Sequence, residues 1–182
     1  MNFFLVGKFI GMHDVTVYDL CFKFVSMASK PVNILGTVLL PHFAKHSNRK
    51  KQKIVLVFSI LLSIVIIGVT NIFLDRIVFF FLHETIDLLP VRLMLIAPLF
   101  LAVSQSIGYN YIIANGLNKH ILWSILVATV VYCMSLLAVL ISGIAGKLLS
   151  FVFIVLLSYF SEMCYRVWVF MSRKGESERV EV

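Results

Sequence analysis

The chain has 182 residues, of which 60% are hydrophobic and only 14% charged, with a mean hydropathy of +0.99. A soluble domain is nearer half apolar and a quarter charged, so this balance excludes a single soluble core and marks an integral membrane protein. The formal charge of +7 does not imply nucleic acid, because the basic residues fall in short segments without interleaved aromatics.

The opening residues, MNFFLVGKFIGMHD, lack the basic start and small-residue cleavage site of a signal peptide. They are apolar, and Gly7 and Gly11 have the spacing of a packed membrane helix, yet the run is too short to cross. Residues 1–17 therefore read as the last turns of a preceding helix plus a loop, and the chain as the C-terminal portion of a larger protein. Five apolar segments of spanning length follow, near 18–41, 54–74, 88–113, 121–141 and 148–170. The expected fold is an all-α membrane bundle of five spans, with residues 172–182 as a tail.

The first span, YDLCFKFVSMASKPVNILGTVLLP, is unlike the others. At about 100° per residue, Asp19, Lys23, Ser26, Lys30, Asn33 and Thr37 fall within roughly 80° of one another, while the remaining faces are apolar. Lys30 lies eleven residues from both Asp19 and Pro41, close to mid-depth if those residues mark the ends. A charge there costs about 2.5–3.5 kcal/mol on insertion scales. Asp19 and Lys23 are one turn apart and can pair, whereas Lys30 has no such neighbour in the segment. Pro31 removes the N–H that would bond the Met27 carbonyl and favours a bend. Such a stripe calls for either polar groups of sister helices or a water-filled pathway beside it.

Between the spans lie a basic connection at 42–53, a mixed one at 75–87, NGLNKH at 115–120 and SGIAGK at 142–147. Lysine and arginine number nine on one side and four on the other, which makes the KHSNRKKQK side and the tail cytoplasmic and the run itself an anchor for anionic headgroups. In the third span, Pro90 and Pro98 set the start and bend the interior, and Ser104, Gly108, Tyr111 and Asn115 share a face suited to helix packing. Arg92, with His83, Glu84 and Asp87, reads as a solvated group at the outer end. Glu162 and Arg166 in the last span have i,i+4 spacing, expected as a local pair with Arg166 snorkelling to the nearby end. Cys21, Cys133 and Cys164 lie in apolar runs and suggest no disulfide or metal framework.

The order FLVGKFIGMHDVTVYDLCFKF, a span ending LLPHFAK, a basic turn and then IIANGLNKH resembles the C-terminal half of bacterial polysaccharide transporters. Within the multidrug/oligosaccharidyl-lipid/polysaccharide exporter superfamily it is most similar to the O-antigen flippases. Tyr18, Asp19, Leu20 and Pro41 resemble the family's start and close of one helix, and Asn115-Gly116-Leu117 its later cytoplasmic turn. The resemblance implies two six-helix lobes, of which these spans are the last five, in a bacterial inner membrane with the C-terminus cytoplasmic. It implies alternating-access transfer of an undecaprenyl-diphosphate-linked oligosaccharide from the cytoplasmic to the periplasmic leaflet. Its partners are then that lipid-linked oligosaccharide, the bilayer and an N-terminal lobe. No cofactor is expected, and proton or sodium coupling is left open. Such cargo needs cations for phosphate and hydroxyl or amide groups for sugars, which Lys23, Ser26, Lys30, Asn33 and Thr37 offer. The reading requires the two lysines to face a wet route instead of acyl chains, and not to be sealed against acidic partners. Competing expectations are a lipid II-type or multidrug exporter of the same superfamily, or an inactive truncated remnant. A membrane enzyme would need paired carboxylates, a metal cluster or a phosphate-binding loop, and no such motif stands in the sequence.

Overall fold

The computed structural model describes residues 12–45, 49–82, 88–142 and 148–172. Every regular element among them is helical, and five spans are long and apolar enough to cross a membrane. The chain is an all-α multi-pass bundle. Helix α1 runs Met12–Lys45 and α2 runs Arg49–Leu82. The third span is built from α3 (Leu89–Met94), α4 (Ala97–Ile107) and a π-helical segment (Gly108–Ile113). Helices α5 (Asn118–Ile141) and α6 (Leu148–Ser172) complete it. Gly7, Gly11, His83, Glu84, Asp87 and the tail 173–182 lie outside the described residues, as does most of the expected remnant at 1–17.

Two expectations about boundaries differ from the structure. Pro41 does not close the first span, because α1 continues to Lys45. The basic connection expected at 42–53 is also mostly helix, with only 46–48 between α1 and α2. Lysine and arginine are good helix formers, so a basic run beside apolar turns extends a helix unless something stops it. Pro31 lies inside α1 without ending it. Pro98 has a larger effect. The third span breaks at Leu95–Ile96 and restarts with Pro98 in the first turn of α4, where its missing N–H is harmless. The span ends in a tight turn in which Gly116 has φ +70°, a conformation that favours glycine.

The third span is the axis of the bundle. Over half of its spanning stretch is buried, against about a tenth for α2 and α5. Helix α4 packs against α1, α2 and α6, and α5 packs chiefly on α6. The apolar core gathers at one end. Tyr18, Cys21, Phe24 and Val25 of α1 meet Leu74 and Val78 of α2, Met94 and Leu95 of the third span, and Phe151 and Val155 of α6. Toward the other, basic end the buried polar residues Gln52, Ser104, Ser106, Asn110, Ser124 and Arg166 lie among buried apolar ones such as Phe43, Ile112 and Val169.

Candidate functional site on the first span

Helix α1 sorts its residues by face. Val17, Tyr18, Cys21, Phe24, Val25, Ala28, Val32 and Gly36 turn inward, spaced three to four apart as a packed helical stripe requires. The polar residues go the other way. Lys23, Ser26, Lys30 and Thr37 are exposed, and Asp19 and Asn33 are half-buried along the same edge. All six therefore lie on the outside of the five-helix body, mixed with the exposed apolar side chains Met27, Ile34 and Val38. An open depression of about 430 Å³ lies elsewhere, lined by Val69, Thr70, Phe73, Arg76, Ile77 and Phe80. Those residues belong to α2 alone, so it is a gap between side chains on one helix surface and not a cleft.

The six residues differ in what they have left to offer. Lys23 Nζ sits 2.6 Å from Asp19 Oδ2, so this charge already has an anionic partner. Thr37 Oγ1 bonds the carbonyls of Asn33 at 3.1 Å and Ile34 at 2.9 Å, which uses its one proton on its own helix. Lys30 is exposed and makes no ion pair or hydrogen bond among the described residues. Three ammonium donors at Lys30, with Ser26 and the Asn33 amide nearby on the helix, are what the stripe has free to recognise an anion or a hydroxyl. Elsewhere, the outward surfaces of α2 and α5 are dominated by residues such as Leu61, Ile64, Ile72, Leu122, Val130 and Met134. A lipid-facing helix looks like those.

A second charged group lies in the interior, and it corrects an expectation. Arg166 is 8% exposed and does not snorkel to the bundle end. Its guanidinium points between three spans. Nη2 pairs with Glu162 Oε1, Nη1 donates to the Ser104 carbonyl at 3.0 Å, and Nε donates to Ser124 Oγ at 3.1 Å. Ser104 Oγ in turn donates to the same Glu162 oxygen at 3.2 Å. Space for the guanidinium comes from Gly108, where a Cβ would stand 2.8 Å from Nη1. Satisfied donors on three sides hold Arg166 inward, so it gains nothing by reaching for water. The four-residue spacing to Glu162 revealed the pair; the carbonyl of Ser104 and the hydroxyl of Ser124 come from other spans and carry no local signal.

Two polar residues that sequence reasoning passed over lie close by. Gln52, 4% exposed, donates from Nε2 to the Asn110 carbonyl at 2.9 Å, and Asn110 Nδ2 reaches Ser106 Oγ at 3.5 Å. Gln52 Oε1 and Asn110 Oδ1 meet no donor among the described residues. Gln52 had a signal. It is the one uncharged residue in RKKQK, and Ser59 and Ser63 follow at seven and eleven residues, on its face. At the other end Arg92 Nη2 lies 3.7 Å from Asp75 Oδ1, with both side chains exposed. No group of three or more metal-ligating side chains occurs among the described residues.

Comparison with family models, curated proteins and solved structures returned no match to this chain.

Proposed function

We propose that this chain is the C-terminal part of a flippase for a polyprenyl-diphosphate-linked oligosaccharide, of the O-antigen transporter type, in the bacterial inner membrane with its tail cytoplasmic. The sequence resemblance suggests the family, and one observation carries the reading. Lys30 is an exposed cation in the middle of a spanning helix, on the face turned away from its own bundle and without a described partner. Left against acyl chains, it would oppose insertion by about 2.5–3.5 kcal/mol. A second lobe across a water-filled cleft relieves that cost and turns the same face into the wall of a route. Ser26 and Asn33 on that wall suit sugar hydroxyls, and Lys30 suits the diphosphate. Lys23 contributes there only by exchanging Asp19 for the headgroup, so Lys30 carries the larger part.

The test is export. In the complete two-lobe transporter, Lys30→Ala abolishes O-antigen export at unchanged abundance, and Lys30→Arg keeps a measurable fraction of it. Unaltered export by Lys30→Ala would remove the reading.

A further inference from the structure

Four residues of the π-helical segment of the third span meet α1, α2 and α6, and the segment also packs on α5. Gly108 lies under the Arg166 guanidinium of α6. Asn110 gives its carbonyl to Gln52 of α2. Tyr111 packs edge-on against Phe170 of α6, ring centroids 4.9 Å apart. Tyr109 meets α1 at Gly36, where a Cβ would stand 2.8 Å from Cδ2, 3.2 Å from Cγ and 3.3 Å from Cβ of the tyrosine. The last contact involves the stem of Tyr109, which cannot swing aside as a side-chain tip can.

Gly36 precedes Thr37 and lies about 60° round the helix from Asn33. The polar stripe therefore begins beside the surface that Tyr109 supports. A π segment carries one more residue than the α-helical turn it replaces. Refolding it to α geometry would rotate α4 by about 100° relative to the Gly116 turn, and would separate Gly108 from Arg166 or Tyr109 from Gly36. We propose that Tyr109 and Gly36 are positioning residues for the stripe. The π segment is then the joint that fixes the setting of α1 relative to the Arg166 cluster. This rests on the stripe being the wall of a wet route, as proposed above, and it assigns the residues that aim that wall.

The experiment measures water access at the stripe in the full chain in its membrane. Lys30→Cys is introduced with Cys133→Ser and Cys164→Ser, and labelling by a membrane-impermeant maleimide is timed. Labelling of this parent is the expected result, and its absence would place position 30 in lipid and overturn the route itself. With the parent labelled, Gly36→Ala shifts the rate about fivefold. Adding Tyr109→Ala to it returns the rate toward that of Tyr109→Ala alone. Gly68→Ala, where a Cβ meets nothing within 4 Å, leaves the parent rate unchanged. An unmoved rate in Gly36→Ala, or a double variant as displaced as the single one, would overturn the positioning role while leaving the route intact. Should Gly36→Ala fail to accumulate, recovery of its membrane level by Tyr109→Ala supports the same contact, and no recovery refutes it.

Discussion

Lys30 and Arg166 are both cations in spanning helices, and the bundle treats them in opposite ways. Arg166 has Glu162, the Ser104 carbonyl and Ser124 Oγ around it and is almost wholly buried. Lys30 lies on the outer face of α1 with no described partner. A buried ion pair owes its place to the hydrogen bonds that complete it, and taking away one member leaves the other stranded. An exposed ammonium contributes almost nothing to holding its own helices together. The contrast separates a charge enclosed by the architecture from one left on its outer face. Charge and depth alone do not distinguish them; partners do.

That contrast can be broken by substitution. The largest effect is expected for Arg166→Met, which leaves Glu162 unpaired in the interior and lowers stability by about 3–5 kcal/mol. Thermal unfolding in detergent measures it, and Glu162→Leu in the same chain recovers most of the loss. A harmless Arg166→Met would mean that the cluster does not hold the spans. Next comes Gly108→Ala, whose methyl would overlap Nη1 of Arg166, with an expected loss of about 1–3 kcal/mol in the same assay. Smallest is Lys30→Ala, expected to move the unfolding midpoint by no more than about 0.5 kcal/mol equivalent. A loss as large as that of Arg166→Met would show that Lys30 has a structural partner after all, and the difference between the two cations would disappear.

The five spans and the grouping of the stripe on one face were legible because both depend on local regularities: runs of apolar residues, and the 100° step between successive side chains. Arithmetic on Asp19, Lys23, Ser26, Lys30, Asn33 and Thr37 grouped them correctly, and the structure leaves them together on an outward edge. The free or engaged state of each was less legible. Asp19 and Lys23 form the expected pair, but the Thr37 proton is spent on its own backbone, which the residue type alone does not tell. The inward aim of Arg166 was hidden because it depends on Ser104 and Ser124 from other spans and on the room left by Gly108. The π segment was hidden for a similar reason. GYNYII has no pattern of its own to announce an inserted residue; the register shows itself only when Tyr109 and Gly108 are seen against different neighbours. The basic run was misjudged at its edges, where charge suggested a loop and helix propensity prevailed.

The reach of α1 and α2 acts as a depth gauge. Each has 34 residues, roughly 51 Å of helix, against about 30 Å of hydrocarbon. Slanting alone does not absorb the surplus, because a rod of that length would have to lie over by more than about 50°, beyond the customary 0–40°. Part of each helix then projects past the hydrocarbon, and the lysines at the tip of the pair suit the headgroups. Lys45 at that tip is fifteen residues from Lys30, about 22 Å along the rod, and the polar surface is itself about 20–22 Å from the bilayer centre. If Lys45 is set at the polar surface, Lys30 falls close to the membrane's midplane.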